Sequence, residues 1–170
     1  MAEELFEVID ESGKVLCLKP RGEVHAKGLL HKGVYIALFD GSGRIFMQRR
    51  AACKDIMPLR WDFSAAGHLK PGESYAEAAA RELKEELGVG GKNFEKLAEV
   101  RFRYNYGNAV DNEANWLFKC GFDGEIKIGR GEVAEGKFVP LKKVLAEIGE
   151  KPEKFVPWAK CLKKPLEKFI

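Results

Sequence analysis

Glu82, Glu85 and Glu86 fall within five consecutive residues of a segment with helical periodicity. At about 100° per residue they share one side of a helix, within an arc of about 100°. Glu82 and Glu86 stand four apart, and like charges at that spacing oppose helix formation by about 0.2–0.5 kcal/mol. Three carboxylates aimed at one spot suit a hard divalent cation, because Mg²⁺ takes oxygen ligands and bridges to substrate phosphates. The bland alternative is a solvated helix face rich in glutamate.

The helix that would carry them is well marked. Ser74-Tyr75-Ala76-Glu77 matches a capping box, and Gly88 is placed to stop the helix, so the spacing predicts a helix over Ser74–Leu87. Ala76, Ala79, Ala80, Leu83 and Leu87 recur at steps of three and four and form the expected packing stripe. Ala76, Ala80 and Leu83 are expected to meet a sheet, and the small alanines would let the helix lie close to it.

The surrounding order resembles the Nudix signature at each of its fixed positions: Gly67, Glu73, Arg81, Glu82, Leu83, Glu85, Glu86, Gly88 and Val89. The wider resemblance spans Leu30 to Val139. It implies a Nudix fold, an α+β or layered α/β/α sandwich in which a mixed β-sheet carries a catalytic loop–helix–loop. It also implies hydrolysis of a diphosphate linkage in a nucleoside-diphosphate-type or related small molecule, with Mg²⁺ or Mn²⁺. By that resemblance Glu85 and Glu86 are the main metal ligands, Gly67 lends a carbonyl, and Glu82 is a ligand or helps activate water. Glu73 and Arg81 then tie the loop to the helix, and Gly88 closes the motif.

The chain has three histidines, His25, His31 and His68, and the last follows the signature glycine directly. Downstream, Asp111 and Glu113 are two apart and would face the same side of a strand. Three imidazoles with one or two carboxylates suit Mn²⁺ or Zn²⁺ better than Mg²⁺.

A narrower resemblance, to isopentenyl-diphosphate isomerase and related Nudix hydrolases, rests on His31, Arg49-Arg50-Ala51, Lys54, Pro58, Trp61, Ser64, Gly67-His68 and Val110-Asp111-Asn112-Glu113. It implies a second metal site of His25, His31, His68, Asp111 and Glu113. The first histidine spacing is one residue shorter here, and Asp111 stands where the isomerase has glutamate. Ala66 stands where the isomerase has its catalytic cysteine. A methyl group neither gives nor takes the proton that allylic isomerisation needs. Hydrolysis is therefore the expected reaction, with isomerase-like activity or a noncatalytic diphosphate-binding module as alternatives. Arg49, Arg50 and Lys54 are the expected diphosphate contacts, since Arg grips phosphate through two donors and Lys acts as a point charge. Trp61, Tyr104, Tyr106 and Trp116 either line a pocket or pack in the core.

The elements that must position these groups read as follows. Leu5–Ile9 and Lys14–Leu18 form a hairpin, and Arg21–Leu30 is an irregular connection. Gly33–Phe39 and Arg44–Gln48 are strands around an Asp40–Gly43 turn; Arg49–Phe63 is loop and Ser64–Ala66 a short strand. Lys96–Tyr104, Glu113–Cys120 and Glu132–Val139 are further strands, with Tyr106–Asn112 a turn or bulge. Helices are expected from Leu141 to Ile148 and, more weakly, from Phe155 to Phe169. The 170 residues suit a single domain, with 1–30 an N-terminal hairpin extension and 141–170 a C-terminal helical segment. A net charge of +3 gives no strong nucleic-acid signal. Cys17, Cys53, Cys120 and Cys161 form no CxxC pair, and no long apolar run or basic leader is present, so reduced thiols, a cytoplasmic setting and no membrane contact are expected. Oligomeric state is left open.

Overall fold

The computed structural model describes residues 3–170; Met1 and Ala2, the start of the expected N-terminal extension, lie outside them. The apolar run from His31 to Phe39 forms strand β3, after β1 (Leu5–Ile9), β2 (Val15–Pro20) and helix α1 (Arg21–Lys27). Next come β4 (Arg44–Arg50), β5 (Trp61–Asp62), β6 (Ala65–His68), α2 (Tyr75–Leu87), β7 (Glu95–Tyr106) and β8 (Ala109–Gly121). The chain closes with β9 (Val133–Pro140), α3 (Leu141–Glu150) and α4 (Ala159–Leu166).

β3 is buried along nearly its whole length because both its edges and both its faces are covered. It runs parallel to β8, from His31↔Glu113 to Phe39↔Gly121, and antiparallel to β6, from Gly33↔His68 to Ile36↔Ala65. The sheet is therefore mixed. Alternation along β3 sorts its side chains: Val34, Ile36 and Leu38 pack with Ala78, Ala79, Leu83 and Leu87 of α2. Tyr35, Ala37 and Phe39 pack with Leu141, Val144 and Leu145 of α3 and Leu162 and Leu166 of α4. This is the expected layered arrangement. A fully buried leucine such as Leu83 holds the layers together, and its truncation to alanine costs about 2–5 kcal/mol.

The capping box forms: the Ser74 side chain accepts from the Glu77 backbone N–H, and the Glu77 side chain accepts from the Ser74 N–H. Gly88 ends α2 in the left-handed region at φ 68°. The packing stripe differs from expectation. Ala76 and Ala80 are exposed, and the buried positions are Ala78, Ala79, Leu83, Glu86 and Leu87. With alanine at 76, 78, 79 and 80 the small residues cannot set the helical phase. Leu83 and Leu87 set it, and they carry Glu86 inward with them.

Three further differences matter for the site. Residues 21–27 are helical, with Gly28 as a left-handed cap at φ 60°; only Val24 and His25 of α1 are buried, too few to show a period. The expected turn over Tyr106–Asn112 shrinks to two residues, since β7 and β8 pair up to Tyr106↔Ala109, and Asp111 consequently lies in a strand. At the C-terminus α4 covers only Ala159–Leu166, flanked by short 3₁₀ turns at Pro152–Lys154 and Glu167–Phe169. No helix of the described residues is long and apolar enough to cross a membrane.

Candidate functional site

Sheet register brings the histidines together. His31 opens β3, directly opposite Glu113 on β8, and Asp111 lies two residues before Glu113 on the same face. His68 ends β6 beside Gly33 of β3, and α1 packs on β8 to bring in His25. One ligand atom from each of His25, His31, His68 and Asp111 lies within 4.8 Å of the others. His31 Nε2 is 3.6 Å from Asp111 Oδ1 and 4.0 Å from Glu113 Oε1, and His68 Nε2 is 3.0 Å from Glu113 Oε1. Phe6 of β1 closes the cluster from outside, with ring centroids 4.4 Å from His68 and 5.2 Å from His31.

The donor set fits a divalent ion. His25 Nε2, His31 Nε2 and Asp111 Oδ1 are buried without a hydrogen-bond partner, and a buried polar atom left unpaired is costly. His31 Nδ1 sits 2.9 Å from the Leu29 carbonyl, so the ring donates there and turns its Nε2 lone pair to the cluster. Burial, and then neighbouring His68, push His25 down to about 4 and His31 down to about 2. Burial also lowers His68. All three imidazoles are thereby neutral at pH 7, the form that binds metal. Burial pushes Asp111 up to about 8, helped by Glu113, and pushes Glu113 up to about 7. A cation beside them would reverse that pressure and hold both ionised.

The helix carboxylates reach the same cavity from the other side. Glu86 is buried; its Oε2 accepts from Gln48 Nε2 at 2.7 Å and from the Ala66 N–H at 3.3 Å. Burial, and then Glu82, push Glu86 up to about 8. Glu82 is also raised by burial, against the pull of Arg81. Glu85 is half exposed, 3.4 Å from Arg81 Nη1 and 3.9 Å from Lys70 Nζ. Arg81 is the knot of the motif. It grips both oxygens of Glu73 at 2.8 and 2.9 Å, donates to the His68 carbonyl at 2.9 Å and pairs with Glu82. Gly67 lets the Glu82 carboxylate pack against the backbone of β6; a Cβ there would push that carboxylate out of its place beside Arg81.

Glu82, Glu85 and Glu86 line one cavity of about 650 Å³ with His68, Asp111 and Glu113, Arg50 and Lys54; His25 and His31 stand behind that wall. Arg50 is held by the Ile56 carbonyl at 3.1 Å and by buried Asp62 at 3.4 Å, while Lys54 pairs with Glu132. Arg49 does not line the cavity: it turns away, to the Leu59 carbonyl and Glu135, each at 2.9 Å. Arg49 and Arg50 are consecutive in β4, and strand alternation points them to opposite faces. Trp61, Tyr104, Tyr106 and Trp116 are not among the cavity residues; Trp158 and Tyr35 are.

Sequence reasoning missed several contributors. Trp158 lies under the Arg50 guanidinium, 5.9 Å from it, and comes from the terminal segment read as a weak helix. Arg21 of α1 enters the cavity, bonded to Asp55 at 2.8 Å. Gln48 is 2% exposed on the same strand face as Phe46, so a polar residue at a core position was its available signal. Asn115 fills the hollow above Gly33, beside Glu113, with both amide atoms unpartnered.

The NUDIX domain model matches residues 29–159. An isopentenyl-diphosphate Delta-isomerase of Nocardia farcinica is 35% identical over 158 residues, covering 89% of this chain and 88% of that protein. An uncharacterized Nudix hydrolase of Yersinia pestis is 37% identical over 149 residues, covering 86% and 79%. Among solved structures, a Deinococcus radiodurans protein superposes with a TM-score of 0.72 at 21% identity, covering 87% of this chain and 90% of its own. A MutT protein from Methanosarcina mazei gives 0.67 at 22%, covering 82% and 92%. His25 lies upstream of the matched family region, on the helix that the sequence left irregular.

Proposed function

This chain belongs to the NUDIX family, and we propose that it hydrolyses the diphosphate linkage of a small nucleoside-diphosphate-type or related organic diphosphate, as one domain spanning residues 1–170. The family and the clustered His/Asp site together support a metal-dependent pyrophosphohydrolase. The observation that carries the reading is convergence: the carboxylate helix, the His68, Asp111 and Glu113 edge of the histidine cluster, and Arg50 and Lys54 face one cavity.

In this reading Glu82, Glu85, Glu86 and the Gly67 carbonyl hold Mg²⁺ or Mn²⁺, and His25, His31, His68, Asp111 and Glu113 hold a further Mn²⁺ or Zn²⁺. Bound there, such ions neutralise phosphoryl oxygens and act as Lewis acids. Eight carboxylates line the cavity against five Lys and Arg side chains. A diphosphate anion would be repelled by that lining without added positive charge. Arg50 presents a guanidinium braced at two points, and Lys54 adds a point charge beside it. Glu82, held beside Arg81 at the cavity wall, would act as a ligand or help to activate the attacking water. Glu73, Arg81 and Gly88 keep the loop–helix–loop in shape.

Isomerase-like activity is a second reading, favoured by relatives of that name. Ala66 argues against it, for it lines the cavity with a methyl group where proton transfer to carbon needs an acid or base. A panel of organic diphosphates, isopentenyl diphosphate included, incubated with Mg²⁺ or Mn²⁺ in deuterated water and read by mass tests all readings together. Phosphate or pyrophosphate release without carbon-bound deuterium is expected. Dimethylallyl product or deuterium in recovered substrate would install the isomerase reading. Binding of the panel with no turnover under either metal would make the protein a noncatalytic module.

A further inference from the structure

We propose that Gln48 is a positioning residue that fixes which oxygen Glu86 presents to a divalent cation. The inference rests on the reading of Glu86 as a metal ligand and adds a residue to that site. Gln48 lies in β4 and is 2% exposed. It does not line the cavity that Glu86 lines, so it acts only through Glu86.

The geometry is one-sided. Gln48 Nε2 donates to Glu86 Oε2 at 2.7 Å, and the Ala66 N–H donates to the same oxygen at 3.3 Å. Two donors converge on Oε2, leaving Oε1 as the oxygen for the cavity. A carboxylate tied in this way meets a cation through one oxygen rather than chelating it with two. Mg²⁺ demands near-ideal octahedral geometry, for which a single fixed oxygen is the better ligand.

The residue type is suited to the task. An amide supplies a donor without charge. A lysine or arginine there would compete with the cation for the carboxylate, and an ionised acid would repel it. The platform is also stiff, because Gln48 pairs with Asp62 of β5 on one edge of β4 and with Gly136 of β9 on the other. A ligand held by a residue on a paired strand is placed more accurately than one held by a loop. The two donors come from separate strands, β4 and β6, so the carboxylate is fixed in direction as well as position.

The test is Mg²⁺ binding to the chelator-stripped full chain by titration calorimetry, since an imidazole-rich cluster takes Mg²⁺ poorly and leaves the carboxylate site as the one measured. Gln48→Met keeps the chain length and volume but removes the donor. It is expected to weaken Mg²⁺ binding by about 10–100-fold, the range for a partner that orients a ligand, with little change in the melting temperature of the metal-free protein. The double variant with Glu86→Gln should bind Mg²⁺ no more weakly than Glu86→Gln alone, because both changes act through one carboxylate. A role confined to core packing would instead lower the melting temperature and leave Mg²⁺ affinity alone. Wild-type affinity in Gln48→Met, or losses that add in the double variant, would overturn the inference while leaving Glu86 a ligand. Wild-type affinity in Glu86→Gln would overturn the ligand reading and the inference with it. If Gln48→Met does not fold, Gln48→Asn takes its place, drawing the amide back by one methylene; unchanged affinity in that variant likewise overturns the inference.

Discussion

Glu82, Glu85 and Glu86 come from one turn and a half of α2, whereas His25, His31, His68, Asp111 and Glu113 come from α1, β3, β6 and β8. The helix group is graded in exposure: Glu86 is buried, Glu82 partly so and Glu85 open to solvent. The histidine group is drier, with His31 fully buried, Asp111 and Glu113 nearly so, and His68 half-buried at the cavity wall. A local motif places ligands by helical phase and can leave some of them wet. A nonlocal cluster places them by sheet register, and burying unpaired polar atoms there is tolerable only with a partner of opposite character. The two regions should therefore fail differently when damaged.

The largest effect is expected at the helix. Glu86→Gln keeps volume and the Gln48 contact region but removes the charge, and turnover should fall at least about 100-fold, the upper range for losing support at a metal ligand. Circular dichroism should show an unchanged fold. Next comes His31→Ala, which should weaken Mn²⁺ binding about 10–100-fold and lower the melting temperature, because it also empties space in a fully buried position. Turnover under saturating Mg²⁺ should suffer less than in Glu86→Gln. Equal losses of turnover in the two variants would erase the distinction and make the clusters one catalytic unit.

The same contrast governs what could be read from the residues. The capping box, the stop at Gly88 and the carboxylate spacing are all encoded within the helix, whereas the mixed sheet, which rests on the parallel pairing of β3 with β8, is implied by the resemblance. The phase of α2 is not legible from its alanines, because four of them in five positions carry no preference. The histidine cluster could be named only through resemblance, since nothing local says that His31 will pair in register with Glu113. Gln48, Trp158 and Arg21 fell outside both routes: their roles depend on tertiary neighbours in segments that lack a motif.

A smaller effect concerns pH and the stability of chelator-treated protein. His25 and His31 lie at about 4 and about 2 when folded, below their ordinary 6.5. Their contribution is complete above about pH 6.5 and is lost as pH falls through the folded values. Asp111 and Glu86 at about 8, and Glu113 at about 7, lie above the ordinary 3.8 and 4.5. Their contribution is complete below those ordinary values and is lost as pH rises through 7 and 8. Above about pH 6.5 only the carboxyls still change. The melting temperature of metal-free protein should consequently fall between about pH 6.5 and about pH 8. Added Mn²⁺ should flatten or reverse that fall, because the ion stabilises the ionised carboxylates. A rise over that interval without metal would mean that the carboxylates are already compensated by the protein, and the dry character of the cluster would be lost as an explanation.

The smallest effect separates two adjacent cations and asks whether the rule drawn from the ligands extends to them. Arg49 and Arg50 are equivalent to the eye in sequence. Strand alternation turns Arg50 into the cavity, braced by Ile56 and Asp62, and turns Arg49 outward. Arg49 pairs with Glu135 at 2.9 Å, where the two side chains remain 39% and 54% exposed. An exposed pair of this kind contributes about 0–1 kcal/mol and is weakened by salt. Arg49→Ala should therefore leave kcat/KM within about two-fold of wild type, the spread of ordinary surface substitutions. Arg50→Ala should raise KM well beyond that, since it removes a guanidinium that faces the substrate space. Steady-state kinetics on whichever diphosphate is turned over, at two salt concentrations, makes the comparison. A large loss in Arg49→Ala that matches Arg50→Ala would show that the outer arginine swings in to meet substrate, and cavity position in the unliganded protein would then be a poor guide to which cations act.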